Sequence, residues 1–399
     1  MNVTPIPRTS RQSVVYLASL LSWLMFRNFL PFLILLLTAS VKAQFTDTSR
    51  QVKPATKKSL GAGLPRKDTL SIIGVGDIMM GTNFPSPSYL PPNDGQHLLD
   101  EVRDILLNAD VTFGNLEGTL LNSGGTVKQC QDSTLCYAFR SPVRYGRYLR
   151  EAGFDLMSLA NNHSGDFGPE GRASSMRTLD SLEIKYAGLL VAPTTIFVKD
   201  SIRYGLAAFA PNSGTCDIRN IPEARRIVQQ LAGQVDIVIV SFHGGAEGRS
   251  YTHVPRKREL FYGEDRGNVY EFAHQMIEAG ADVIFGHGPH VTRSVDLYKN
   301  RFIIYSMGNF CTYGRFSLKG EGGLAPLVKV YTNRQGEFLK AEITPIKQIG
   351  EGGPLIDPEK KVVKSLQILL ASDFPEVPLV IRNNGVITRK DSPDWQSRK

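Results

Sequence analysis

The sequence is poor in the residues that would place it in several familiar classes. Only four of its 399 residues are cysteine, namely Cys130, Cys136, Cys216 and Cys311, and none shows CxxC spacing. The absence of that spacing argues against a structural zinc site. No Lys/Arg block is interleaved with aromatic residues, so the formal charge of +8 is not a nucleic-acid signature. Acidic residues are absent from positions 1–43, which carry Arg8, Arg11, Arg27 and Lys42; without these four the balance falls to about +4. A mild positive excess suits an anionic ligand without selecting one. No internal repeat is present.

The amino-terminal stretch determines the expected compartment. Phe29–Ala39 is an apolar run preceded by Arg27 and followed by Val41-Lys42-Ala43. A basic flank, a short apolar core and small residues at the cleavage positions make up a secretory signal, with cleavage after Ala43. The upstream run Val14–Phe26 is also apolar, so the true start is either Met1 or Met25. The alternative is a retained anchor over residues 13–39. A charge near a helix centre costs roughly 2.5–3.5 kcal/mol on insertion scales, and Arg27 stands inside that span. Either reading places the bulk of the chain outside the cytoplasm: periplasmic, extracellular or anchored at the outer membrane face. In such a compartment Cys130 and Cys136, with five residues between them, are expected to pair. Cys216 and Cys311 either form a second bridge or stay as buried thiols.

The expected organisation is a signal peptide or anchor over 1–43, a polar linker over 44–68, one domain over 69–348 and a packed extension with a polar tail over 349–399. Residues from about Pro378 are Pro-rich and charged and are expected on the surface. Between the ends, apolar β-rich runs alternate with helical patterns. Strands are expected at Leu70–Val75, Val111–Phe113, Leu156–Leu159, Tyr204–Phe209, Ile237–Ser241, Val283–Phe285, Phe302–Ser306, Pro326–Tyr331 and Phe338–Pro345. Helices are expected at His97–Leu107, Pro142–Ala152, Pro169–Leu182, Pro222–Leu231 and Asn268–Ala279. This alternation implies an α/β fold with a helix-covered sheet, and the helix-free final strands make the sheet mixed.

Five polar motifs sit at the carboxyl ends of these strands, where open α/β sheets bind ligands. They are Gly76-Asp77-Ile78-Met79, Gly114-Asn115-Leu116-Glu117-Gly118, Ala160-Asn161-Asn162-His163-Ser164-Gly165-Asp166, Ser241-Phe242-His243-Gly244-Gly245-Ala246-Glu247 and Gly286-His287-Gly288-Pro289-His290. Each alone reads as a turn, a cap or a core histidine. Together they bring oxygen and imidazole donors to one sheet edge, a set suited to Mn, Zn, Fe or Mg and unlike a soft thiolate site. His97, His253 and His274 lie outside the motifs and are read as structural.

The order of these motifs, followed by Ser306-Met307-Gly308-Asn309-Phe310, resembles the CapA family associated with poly-γ-glutamate capsule synthesis. The resemblance covers most of Leu70–Gln348 and extends to calcineurin-like metallophosphoesterases. It implies a metallophosphatase-like four-layer α-β-β-α sandwich with mixed sheets and one or two divalent metal ions. It also implies metal ligation by Asp77, Glu117, Asn162, His243, His287 and His290. His163 and Asp166 fall in catalytic positions, His163 as the group that protonates a leaving group. Asn115, Asn161, Glu247 and Asn309 fall where substrate is contacted. Met79 replaces the histidine of the usual Asp-x-His, and GHGPH is longer than the usual Gly-His-x-His, which weakens the case for a second metal. The insertion Pro255–Gly267 is expected to reshape the entrance, and Arg249, Arg256 and Arg293 are candidate anion contacts. The implied partners are an anionic polymer or phosphorylated substrate and a membrane capsule-synthesis complex, with no nucleic acid. The implied activities are hydrolysis or transfer on a γ-glutamyl-type polymer, phosphoester hydrolysis, or a non-catalytic assembly role.

Overall fold

The computed structural model describes residues 67–130, 136–350 and 353–391. The expected leader, and the linker up to residue 66, lie outside the described residues. Among the described residues no helix is long and apolar enough to cross a membrane.

Strand Thr69–Met79 shows why the sequence builds a central sheet. All ten residues after Thr69 are buried, as a strand packed on both faces requires. It pairs in parallel with Val111–Leu116, which in turn pairs in parallel with Leu156–Ser158. On its other side it runs antiparallel to Leu324–Asn333, which is followed by Phe338–Lys347. The second sheet has six strands and centres on Val283–His287, which is parallel to both Ile237–His243 and Arg301–Met307. Both sheets are therefore mixed, as expected.

Alternation along Thr69–Met79 sorts its side chains into two layers. Leu70 and Ile72 join the apolar cluster shared with the smaller sheet, whereas Ile73 and Val75 join Leu106, Leu149 and Leu179 of the helices Arg103–Leu107, Tyr145–Glu151 and Gly168–Ser181. Between the sheets Phe113 stacks on Phe285 with ring centres 5.5 Å apart, a contact worth about 0.5–1.5 kcal/mol beyond burial. The smaller sheet is covered by Ile221–Ala232 and Val269–Glu278. These two helices begin at Asn220 and Asn268, whose side chains accept from the backbone N–H of Glu223 and Glu271. Their apolar residues recur at helical spacing (Ala224, Ile227, Val228 and Leu231 in the first), so one face of each is committed to the sheet. The layers run helix, sheet, sheet, helix, which is the four-layer sandwich expected.

Two expectations require correction, and one strand was not foreseen. The helix expected over His97–Leu107 is α-helical only at Arg103–Leu107, after a series of tight turns. The described part of the segment beyond Pro378, expected on the surface, is built into the fold. Leu379–Ile381 and Val386–Arg389 extend the large sheet, with Ile387 opposite Ala341, and Leu379, Ile381 and Ile387 are buried. Strand Thr292–Tyr298 went unrecognised because Arg293 and Asp296 interrupt its apolar pattern; both are buried with partners, Glu259 for Arg293 and His274 and Tyr305 for Asp296.

Candidate metal centre

Asp77 lies near the carboxyl end of its strand, two residues before Met79, and its carboxylate meets a histidine of the second sheet. Strand Asn309–Thr312 joins it there in parallel, with Asp77 opposite Asn309, and the Asp77 N–H donates to the Gly308 carbonyl at 2.9 Å. This approach requires glycine before Asp77: a Cβ on Gly76 would stand 2.1 Å from the Gly308 oxygen. The smaller sheet sets His287 opposite His243 in register. His287 then reaches across the layers, its Nδ1 donating to Asp77 Oδ1 at 3.1 Å. His290 Nδ1 donates to Asp77 Oδ2 at 3.0 Å, and its Nε2 lies 3.5 Å from Glu117 Oε1. His290 holds a left-handed backbone (φ 56°), as a residue fixed by its surroundings does.

The atoms left over fit a cation. Glu117 Oε1 and Oε2, His243 Nε2, His287 Nε2 and Asn162 Oδ1 are buried without a hydrogen-bond partner among the described residues. Buried polar atoms are rarely left this way unless something binds them. One ligand atom each from Asp77, Glu117 and His243 lie within 4.8 Å of one another. Because Nδ1 of His287 is engaged by a carboxylate, its Nε2 is the free ligating nitrogen, as in carboxylate–histidine–metal arrangements.

Electrostatics point the same way. Burial pushes the Glu117 carboxyl well above its usual range, and the charges of Asp77 and Glu247 add to the rise. Burial also disfavours charged Asp77, but hydrogen bonds and charge from His287 and His290 outweigh it and hold that carboxyl well below its usual range. Burial opposes charge on His290, yet Glu117 and Asp77 raise it to about 10. Burial keeps His243 well below the usual histidine value and therefore neutral, as a ligand must be.

His163 stands beside this cluster. Its Nδ1 donates to Asp166 Oδ2 at 2.8 Å, which leaves Nε2 as the end able to exchange a proton. Burial lowers its pKa despite Asp166. Phe139 lies against the imidazole with ring centres 4.2 Å apart, and its N–H donates to Asp166 at 2.6 Å. The motifs did not reveal Lys128, whose Nζ is 2.6 Å from Asp166 Oδ1 and 3.3 Å from His163 Nδ1. Its only sequence signal is its position two residues before Cys130.

Several residues expected at the substrate are engaged elsewhere. Asn115 donates to Asp77 at 2.8 Å and accepts from Asn161 at 3.1 Å. Asn161 also donates to the Leu116 carbonyl and accepts from the His163 N–H. Both asparagines are spent on aligning the cluster and have no free group for a substrate. Asn309 Nδ2 donates to the carbonyls of His290 and Gly322, while its buried Oδ1 has no hydrogen-bond partner among the described residues. Glu247 accepts from Arg266 at 2.6 Å, so the insertion Pro255–Gly267 is tied to the site through Arg266. None of the three candidate arginines is free: Arg293 is buried against Glu259, Arg249 pairs with Glu321, and Arg256 pairs with Glu376 while covering Tyr270 and Phe374.

The family model described as bacterial capsule synthesis protein PGA_cap matches residues 71–313, which include all five motifs. The chain belongs to this family. Capsule biosynthesis protein CapA of Bacillus anthracis is 26% identical over 300 residues, covering 70% of this chain and 66% of that protein. The chain thus spans just under two thirds of that relative. PGA biosynthesis protein CapA of Bacillus subtilis is 27% identical over 304 residues, covering 70% of this chain and 72% of that one. A crystal structure of a protein from Thermus thermophilus overlays with a TM-score of 0.41 at 16% identity, covering 70% of this chain and 100% of that one.

Within this PGA_cap chain Cys130 and Cys136 form a disulfide, whereas Cys216 and Cys311 are buried free thiols and not a second bridge. The bridge ties down the loop that carries Lys128. Replacing Cys130 and Cys136 together by serine should cost about 2 kcal/mol in urea denaturation, as expected for a short closed loop. An unchanged denaturation midpoint would show that the loop is held by other contacts.

Proposed function

We propose that the protein is an exported, metal-dependent hydrolase-like component of capsule-type polymer synthesis, acting on an anionic cell-surface polymer. The observation that carries this reading is the convergence of buried, unpartnered ligand atoms from Glu117, His243 and His287 around Asp77. The names of the Bacillus relatives, capsule and PGA biosynthesis proteins, support the polymer class and a cell-surface role.

Asp77, Glu117, Asn162, His243, His287 and His290 would hold one or two divalent ions of the Mn, Zn, Fe or Mg type. A bound ion supplies Lewis-acid polarisation of a carbonyl or phosphoryl oxygen. The remaining work falls to side chains. Asn115 and Asn161 keep Asp77 and the His163 backbone in place through one amide chain. Asp166 fixes the His163 tautomer and Phe139 shields the ring from water, so a proton is held or moved at His163 Nε2. Phosphoester hydrolysis is the second reading, because an ion held by this oxygen and imidazole donor set would polarise a phosphoryl oxygen as well as a carbonyl oxygen.

The test is metal analysis of the purified full chain, with turnover assays on phosphoesters and poly-γ-glutamate. His163→Ala should retain metal and lose roughly 10²–10⁴-fold in kcat, the usual contribution of a positioned acid or base. Full activity in that variant would remove His163 from the mechanism. A metal-replete wild type inactive on both substrates would leave a non-catalytic assembly role.

A further inference from the structure

Beside the cluster stands a cation that the proposed mechanism does not use. Arg315 lies between two tyrosines, its guanidinium carbon 4.7 Å from the Tyr89 ring centre and 4.8 Å from that of Tyr137. Among the described residues no carboxylate or hydrogen-bond acceptor pairs with it, unlike Arg249, Arg256, Arg266 and Arg293. The contacts to the two rings are cation–π contacts and use none of its N–H donors as hydrogen bonds, so these remain available to a planar or tetrahedral oxyanion.

Its neighbours connect it to the metal cluster. Phe316, the next residue, has its ring centre 5.3 Å from that of His290 and 5.2 Å from that of Phe139. Tyr137 follows Cys136 of the disulfide and precedes Phe139, which covers His163, by two residues. Segments 315–316 and 137–139 therefore lie side by side, with Arg315 and Tyr137 outermost and Phe316 and Phe139 over the two histidines. Tyr137 is exposed and Arg315 half-buried, as the rim of an entrance requires. Arg315 also has a left-handed backbone (φ 57°) immediately after Gly314 (φ 60°), a conformation in which glycine would be less strained.

We infer that Arg315, held against the rings of Tyr89 and Tyr137, is an oxyanion-recognition subsite that seats a carboxylate or phosphate of an extended substrate beside the metal cluster. The inference rests on the proposed reading of that cluster as the reacting centre, and it adds a named determinant of substrate charge. The ammonium of Lys128 is already matched by Asp166, so Arg315 is the cation left to read charge on this rim.

The test is equilibrium binding of fluorescent oligomers to the full metal-loaded chain. The probes are a γ-linked glutamate oligomer, its neutral glutamine counterpart and a phosphodiester oligomer. Wild type should bind at least one charged oligomer and not the neutral one; which of the two it binds tells carboxylate from phosphate. Arg315→Gly, which suits the left-handed backbone and should melt no lower than wild type, should weaken that binding about ten- to hundredfold, the range for a charge-assisted contact. Arg315→Lys should fall between the two, because it keeps the charge but loses the planar fork. Equal binding by wild type and Arg315→Gly, equal binding of the neutral oligomer, or no binding of either charged oligomer by wild type would overturn the subsite. Metal content and turnover of a small phosphoester, measured alongside, separate the two readings. Arg315-dependent binding without metal or turnover would sink the hydrolase reading alone; metal and turnover without Arg315-dependent binding would sink the subsite alone.

Discussion

Asp77→Asn is expected to abolish metal binding, with affinity lowered by more than about a hundredfold, since loss even of an outer partner of a metal ligand costs 10–100-fold. The geometry explains the severity. Both Asp77 oxygens accept from histidine, Oδ1 from His287 and Oδ2 from His290. Asparagine has one oxygen, so one histidine Nδ1 would face an amide NH₂ and turn away. The variant also strips His290 of one of the two carboxylates that keep it charged. Breaking one partner from a buried ion pair costs on the order of 3 kcal/mol, so the metal-free variant should also melt below the metal-free wild type. Metal stoichiometry by elemental analysis and a thermal scan in chelator check both points. A variant with wild-type metal content would remove Asp77 from the ligand set.

The second large effect is on pH. In the metal-free protein burial opposes charge on His290, but Glu117 and Asp77 hold it at about 10, so it carries a proton that a cation must displace; burial meanwhile holds the Glu117 carboxyl well above its usual range. Metal affinity should therefore rise with pH, by about tenfold per pH unit for each proton released. The metal-free fold should show the opposite trend. A group whose folded pKa is raised contributes stability that is complete below its unfolded value. For His290 this contribution is present below about pH 6.5 and is lost as pH rises through about 10. Glu117 acts in the same direction, its contribution fading as pH climbs from its unfolded value through its raised one. Asp77, with a lowered pKa, contributes above its unfolded value and so is constant near neutrality. The metal-free melting temperature should accordingly fall between pH 7 and pH 10, and divalent metal should reduce that fall. Calorimetric titration in buffers of different ionisation enthalpy counts the protons released. A count of zero would contradict the protonated His290.

How much of this was legible depended on the kind of residue. Strands such as Ile237–His243 and Val283–His287 are continuous apolar runs, and burial on both faces imposes such runs, so periodicity located them within a few residues. Strand Thr292–Tyr298 and the edge strands after Pro378 escaped because their stability rests on partners distant in sequence: Glu259 for Arg293 and Ala341 opposite Ile387. In the site, the ligand candidates announced themselves by sitting at strand ends beside glycines. Lys128, Phe139, Arg266 and Phe316 did not, because each enters from a loop whose position no local pattern encodes.

By itself the sequence determined the α/β class, the membership of five motifs in one site and the residue types able to hold a hard or borderline cation. Those follow from strand periodicity and ligand chemistry, which are local properties. Only the tertiary structure decided which polar groups are spent and which are free. It committed Asn115, Asn161 and Asn309 to internal hydrogen bonds and Arg249, Arg256 and Arg293 to acidic partners, and it left the ligand atoms of Glu117, His243 and His287 and the guanidinium of Arg315 unpaired among the described residues. The reason is physical: a buried polar group must find a partner, and the partner it finds is set by which strand ends and loops the sandwich brings together, not by the residues beside it in sequence.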